Sequence, residues 1–498
     1  PGPLALCLAK HRLLQMACFS AFCGGVERRG RTAMIAPEGS FPMPIHKAEH
    51  VDLTAGEMMF GHNSLACASY PALLFRLKHA DAGALKLALA KALRAYPIVA
   101  GRMDCKDLSI LDMRGGRVAL ANTGVPFTII QDQGETAPDL KDEKDMLKFG
   151  DFRSPLRACK GLEPLLTVAL TVFRDGSAVL AMARSHVVLD GTSAWAFIDA
   201  WAKAARGEAI TPGSVDRSSI KALMPSLGEL QEISVEVNGE ELTMNWKTLL
   251  MAKVAPALIT SMDLLFLTGV YALGRPRVFL ADAEVARIKD AASPSPDGRY
   301  NHTWVSTQEA LSAYLLMTVA RVMLKKSSML KKSSKGLGRI EFLLDPRKAL
   351  GLKADQQYGS GFLMVSVPCG NVTERSLHDV AGTIHNFFQE KMTPKDMKNE
   401  FALMWGSAEH NLQLAAFSKS RSDEQDADIV LQLNNQSKRD LPDFGAAGGR
   451  APSVLTNAGP SLIVPAEGGM DIYLDWGMLG SSTSKAKLVL SRLRDDLP

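Results

Sequence analysis

One histidine of the ten in this chain stands where proton chemistry could be done. Residues 185–191 read SHVVLDG, placing His186 four residues before Asp190, with Gly191 directly after. An imidazole of ordinary pKa, about 6.5, can accept a proton and return it near neutral pH. Asp190 is spaced to fix the loop that aims the ring. The remaining histidines offer less. His378 and His385 are seven apart in a helix-like segment, but no Cys or His at metal-ligand spacing accompanies them. His46, His50, His62, His79, His302 and His410 form no constellation, so no metal is expected. The chain has neither a G-x-x-x-x-G-K-[ST] phosphate loop nor a G-x-S-x-G nucleophile elbow, which leaves covalent acyl-enzyme chemistry without sequence support.

The flanks of His186 would position it. Apolar runs at 164–173 and 178–185 read as strands, joined by Arg174-Asp175-Gly176-Ser177, and Asp-Gly is a strong hairpin signal. After the motif, Trp195, Ile198, Trp201 and Ala205 recur at helical spacing, and Gly207 is the expected stop of a helix over 192–206. A loop between a strand end and a helix start holds a side chain rigidly while leaving it free to face a ligand.

At 498 residues the chain has room for two or three domains. Apolar content of 46% and charged content of 22% are those of an ordinary globular protein. The net charge of +4 is small, and no basic stripe with interleaved aromatics appears, so a nucleic-acid partner is not expected. Seven scattered cysteines with no C-x-x-C pair point to a reducing compartment and a cytoplasmic location. Residues 1–40 are expected to be a disordered or targeting segment, with Met34 a candidate start. The apolar stretch 248–274 is long enough to span a membrane, but Lys253, Pro256 and Asp263 interrupt it. It is expected to be a buried or surface-lying helical linker through which membrane contact is possible.

The stretch 163–207, EPLLTVALTVFRDGSAVLAMARSHVVLDGTSAWAFIDAWAKAARG, resembles the central segment of the BAHD acyltransferases, CoA-thioester-dependent enzymes of the chloramphenicol-acetyltransferase-like fold. The leucine-rich 84–102 run, ending in Pro97 and an Ala100-Gly101-Arg102 turn, is similar to another part of that family. Arg102 is expected to be a turn residue. Strands are expected at 108–113 and 117–121, and a strand leading into an acidic-capped helix at 278–291. Ser306 and Glu309 have the form of a capping box before the helix 310–322, which runs into a tandem MLKKSS at 323–334. The tandem is read as a solvated loop. The family has an arginine after the strand matching 340–344, so the resemblance implies that Arg347 holds Asp190. Segment 357–362 matches its Tyr-Phe-Gly-Asn motif only in part. Asp443-Phe444-Gly445 matches the start of its Asp-Phe-Gly-Trp-Gly segment, while Ala446-Ala447 departs from it; Asp475-Trp476-Gly477 belongs near the final strand instead.

The resemblance implies an α/β fold of two chloramphenicol-acetyltransferase-like domains, each a mixed sheet flanked by helices. Boundaries are expected at 41–225 and 276–498, with a crossover at 226–275. It implies acyl transfer from an acyl-CoA co-substrate to an alcohol or amine, with His186 as general base and no permanently bound cofactor. Asp190, Gly191, Arg347, Asp443 and Gly445 would shape the site; the donors that hold CoA or stabilise the oxyanion are not named by the sequence. A monomer is expected. Ser185 replaces the first of two adjacent histidines typical of condensation domains and wax-ester synthases, which argues against both. A non-catalytic relative that binds CoA esters, or a membrane-associated lipid acyltransferase, are the alternatives.

Overall fold

The computed structural model describes residues 30–62, 71–105, 114–140, 144–151, 153, 157–158, 160–242, 276–293, 304–325, 335–352, 361–410, 412, 427–456, 461–474 and 483–498. The expected strand at 108–113, most of the crossover with its apolar stretch, residues 326–334 of the tandem, Tyr358-Gly359 and Asp475-Trp476-Gly477 lie outside these. No described helix is long and apolar enough to cross a membrane.

In chain order the first half supplies β1 (Arg31–Ile35), β2 (His50–Asp52), β3 (Ala72–Leu77), β4 (Arg102–Met103), β5 (Arg117–Ala119), β6 (Val125–Gln131), β7 (Leu166–Val172) and β8 (Ala178–Arg184). The second half supplies β9 (Arg277–Ala281), β10 (Leu337–Leu344), β11 (Leu363–Asn371), β12 (Ile429–Asn435), β13 (Val454–Thr456), β14 (Ser461–Ala466) and β15 (Gly469–Tyr473). Two six-stranded mixed sheets result, in the orders β1-β6-β7-β8-β3-β13 and β11-β10-β12-β14-β15-β9, beside a small sheet β2-β5-β4. β7 and β8 are almost wholly buried, as their continuous apolar runs require of central strands covered on both faces. Their antiparallel register pairs Val172 with Ala178 and closes over the Asp-Gly turn, where Gly176 has φ +84°.

The disordered or targeting segment expected over 1–40 does not extend through its last part: Arg31–Ile35, Met34 included, forms β1, antiparallel to β6. The strand is exposed or half-buried along its length. An edge strand of this kind is held by backbone hydrogen bonds more than by apolar burial, so it leaves little hydrophobic pattern to read.

Helices Ala82–Ala95 and Gly191–Ala205 pack together beside the first sheet, with Trp201 Nε1 donating to Leu85 O at 3.0 Å and Trp195 edge-on to Phe75. Around the second sheet, helices Asp282–Ala292, Thr307–Lys325 and Leu377–Lys391 pack on one another. The Thr307 helix begins at the expected capping box, Glu309 N donating to Ser306 Oγ at 3.2 Å. The two halves interlock: β13, late in the chain, pairs with β3 and so closes the edge of the first sheet.

Candidate active site

The His186 loop sits between β8 and the Gly191–Ala205 helix, and each end is fixed locally. Asp190 is the helix N-cap, its Oδ1 accepting from Ser193 N at 2.9 Å and Ser193 Oγ at 2.8 Å. Nine residues of this helix are buried, among them Trp195, Phe197, Ile198 and Trp201. The other end closes in a Schellman arrangement, with Gly207 N donating to Ala204 O and Glu208 N to Lys203 O, and Gly207 at φ +75°. At the loop's start, Ser185 N donates to Leu165 O at 2.7 Å.

The second half completes the site. Arg347 follows β10, and its Nη2 donates to Asp190 Oδ2 at 2.6 Å; Gly361 N donates to the same oxygen at 3.0 Å. With Ser193, this gives Asp190 four donors, two from each half of the chain. Arg347 also donates from Nη1 to Asp345 Oδ1 at 3.1 Å. Asp190 and Arg347 are each 3% exposed. Burial alone would raise the Asp190 pKa, but the Arg347 charge and the hydrogen bonds outweigh it and hold the carboxyl below its ordinary range. Burial alone would lower Arg347; Asp190 and Asp345 overcome it and raise its pKa. The pair is therefore ionised on both sides, and removal of either member would strand a buried charge.

His186 is 7% exposed. Its pKa is pushed down to about 4, first by burial and next by the nearby Arg184 charge, while Asp190 and a hydrogen bond between the ring and its own backbone pull the other way. The ring is neutral at physiological pH. A ring that donates one proton to its own backbone leaves its second nitrogen as an acceptor, which is what a general base requires.

Gly191 heads the helix, and a Cβ there would lie 3.1 Å from Gln436 Nε2. Gln436 comes from the second half, is 7% exposed, and accepts from Trp195 Nε1 at 2.6 Å. Arg439 Nη2 donates to Thr192 Oγ1 at 2.7 Å. Asp443 and Gly445 lie apart from the Asp190 network. Asp443 Oδ1 accepts from Gly445 N at 2.9 Å, and Arg206, at the far end of the Gly191 helix, donates to Asp443 O. Phe444 is fully buried, edge-on to Trp201. Arg102 donates from Nη1 to Gly101 O and Gly124 O, the bonds of a turn. His385 bonds to Glu309 and His378 to the carbonyls of Ala292 and Ser293.

Ser193, Arg184 and Gln436 were not among the expected site residues, and Gly361 lay in the partly matching segment 357–362 with no role expected of it. The Ser193 backbone contact could have been found, since an Asp just before an apolar helix is a favoured N-cap that accepts from the N–H three residues on. Arg184 is a charge inside an apolar strand, a signal in itself. Gly361 and Gln436 arrive from 171 and 241–245 positions away, where local pattern is silent.

Comparison with known proteins agrees with this architecture. The Transferase family model matches residues 64–253. A BAHD acyltransferase of Arabidopsis thaliana, DCR, is 32% identical over 127 residues, covering 25% of this chain and 26% of its own length. A hydroxycinnamoyl-CoA:piscidic acid hydroxycinnamoyltransferase of Actaea racemosa is 35% identical over 135 residues, covering 25% and 27%. The chain thus spans only about a quarter of the length of these curated relatives. The fold extends much further. Vinorine synthase superposes with a TM-score of 0.61 at 14% identity, covering 94% of this chain and 97% of that one. TRI101 of F. graminearum, solved with coenzyme A and deoxynivalenol, gives 0.60 at 16%, covering 88% and 99%. Part of the chain is thus similar to BAHD acyltransferases, and its two-sheet α/β fold is that of vinorine synthase and TRI101.

Proposed function

We propose that this protein moves an acyl group from an acyl-CoA thioester to an alcohol or amine, with His186 as general base. The observation that carries the reading is a buried imidazole on a loop whose carboxylate, Asp190, is locked by four donors from both halves of the chain. Similarity to CoA-dependent hydroxycinnamoyltransferases supports the donor class, and a TRI101 structure holding coenzyme A supports it on the same fold. Relatives acting on 5-hydroxyanthranilate nitrogen and on shikimate oxygen are both similar to this chain, so both acceptor types belong in the test.

His186 takes the proton from the acceptor as its oxygen or nitrogen attacks the thioester carbonyl. The tetrahedral intermediate then collapses, the C–S bond breaks, and the imidazolium returns the proton to the thiolate. Acyl group and proton both balance without an acyl-enzyme. Asp190, Gly191 and Arg347 hold the loop, and Asp443 and Gly445 brace a separate turn; none exchanges a proton. We assign the acyltransferase halves to 41–225 and 276–498, with β1 added to the first.

The test is free-thiol release from a panel of acyl-CoAs with pooled alcohols and amines. Wild type should release thiol only with an acceptor present. His186→Ala should lose about a hundredfold or more while its melting curve stays cooperative. Turnover retained in a folded His186→Ala protein would end this mechanism. The departure at Ala446-Ala447 favours one second reading, an acyl-CoA binder without turnover. Tight acyl-CoA binding with no thiol release from wild type would support it.

A further inference from the structure

Arg184 is the last residue of β8 and only 1% exposed. Its Nε donates to Leu189 O at 3.3 Å and its Nη1 to Pro71 O at 3.1 Å; its backbone N also donates to Pro71 O at 3.1 Å. Leu189 immediately precedes Asp190, and Pro71 immediately precedes β3. One guanidinium thus joins the end of β8, the far end of the His186 loop and the start of the neighbouring strand. The loop's own closure adds two bonds of similar length, Val188 N and Leu189 N reaching Ser185 O at 3.4 and 3.3 Å.

We propose that Arg184 is a positioning residue for His186, tying the loop shut and keeping a fixed positive charge beside the imidazole so that the ring meets its acceptor without a proton. The inference rests on reading His186 as the base. Arginine suits the task because its charge survives burial and its planar fork can hold two carbonyls at once. The charges that act on the ring come from both sides of the site. Arg184, on β8, disfavours the imidazolium; Asp190, at the loop's end, favours it. Asp190 is itself engaged by Arg347 from the second half, with Asp345 behind it, so its pull on the ring is partly spent. Burial acts in the same direction as Arg184. During the reaction the imidazolium would form beside this cation, which favours prompt return of the proton to the departing thiolate. Arg184 acts through His186 rather than on reacting atoms.

Two variants of the full chain separate charge from tether. Arg184→Gln removes the charge and keeps a hydrogen-bond donor; Arg184→Lys keeps the charge and loses the fork. The readout is NMR titration of labelled histidine, the His186 signal being assigned by its loss in His186→Asn. Arg184→Gln should raise the His186 midpoint by about one unit, a tenfold change in proton affinity, whereas Arg184→Lys should leave it low. The acidic limb of kcat/KM should move with the midpoint in Arg184→Gln and stay put in Arg184→Lys. An unmoved midpoint in folded Arg184→Gln would overturn the proposal. If only Arg184→Lys folds, a midpoint in the ordinary range would do the same. Unfolding of both variants would assign Arg184 to the framework alone and also overturn it. A shifted midpoint in a protein that releases no thiol from any acyl-CoA would leave the charge role standing and remove the catalytic reading, so the two can fail separately.

Discussion

Two Asp-Gly loops in this molecule look alike in sequence and differ in what they hold. Asp190-Gly191 and Asp443-Phe444-Gly445 each place a carboxylate where it accepts from a backbone N–H two or three residues on. Asp190 is buried, and its second oxygen takes Arg347 and Gly361 from the other half of the chain. Asp443 is half-buried and its side chain serves its own turn; the long-range bond there runs from Arg206 to its backbone carbonyl. The first is a joint between halves that happens to carry a histidine. The second is a turn pinned by an aromatic, Phe444 against Trp201. A motif aspartate is thus defined by what reaches its second oxygen, and that is invisible in the motif.

The widest gap between the loops should appear on truncation. Asp190→Ala leaves the Arg347 charge buried without its best partner and should cost about 3–5 kcal/mol. Asp443→Ala removes one hydrogen bond within a turn and should cost about 1 kcal/mol. Urea unfolding of the two variants reads both values. Equal losses would break the comparison. Thiol release should fall in Asp190→Ala beyond what unfolding explains, and hold near wild type in Asp443→Ala.

Acid should sharpen the same contrast. The Asp190 pKa is lower folded than unfolded, so its contribution is present above pH 4 and lost as pH falls through the folded value. For His186 the folded value is about 4 against 6.5 unfolded. Between those values the unfolded chain binds a proton that the folded ring refuses, so stability falls as pH drops from 6.5 to 4, by about 3 kcal/mol. His186→Gln should flatten that slope and leave the loss below pH 4, to which Asp190 contributes. Denaturant melts at half-unit pH steps test both parts; an unchanged slope in His186→Gln would place its origin elsewhere.

Much of this was legible in the chain because local pattern encodes local structure. The hairpin 164–185, the capped helix after it and the strand before Arg347 follow from apolar runs, an Asp-Gly turn and a terminal glycine. The Asp190–Arg347 contact lies 157 positions apart and came only through a family resemblance, since no periodicity links two such residues. Gln436 had no signal, and Gly361 had only its place in the partly matching segment 357–362. β1 was misjudged because an edge strand draws its stability from backbone bonds to β6, which any sequence can make. β13 joins the first sheet from the second half, a topological fact with no local trace.

A matched pair of glycines tests the loops at smaller amplitude. A Cβ on Gly361 would lie 2.9 Å from Arg347 Nη2 and 3.1 Å from its Cζ, inside a buried ion pair that has nowhere to go. A Cβ on Gly445 would lie 2.9 Å from Arg206 Cγ, a side chain that can move, but the backbone there has φ +55°. Both Ala variants should lose about 1–2 kcal/mol, one by crowding and one by left-handed strain. Only Gly361→Ala should also lower kcat, by about tenfold or more, because it displaces the group that aims the His186 loop. A matching fall in Gly445→Ala would show the second loop to be part of the chemistry.

The smallest effect is expected where this chain departs most visibly from the BAHD pattern. Ala446 is exposed, and its carbonyl meets His79 Nε2 at 3.0 Å. Ala447 is buried, and its carbonyl accepts from Asp81 N at 2.9 Å, at the start of the Ala82–Ala95 helix. The turn is therefore closed by backbone groups, by Asp443 on Gly445 N and by Phe444 on Trp201, and none of these uses the Ala446 side chain. Ala446→Trp should change stability by no more than about 0.5 kcal/mol. If the loop is only a turn, the KM for acyl-CoA should stay within a few-fold of wild type. A KM that drops tenfold would mean that an indole at this position grips the donor, that the natural chain binds its thioester weakly for want of one, and that the second loop belongs to the binding machinery after all.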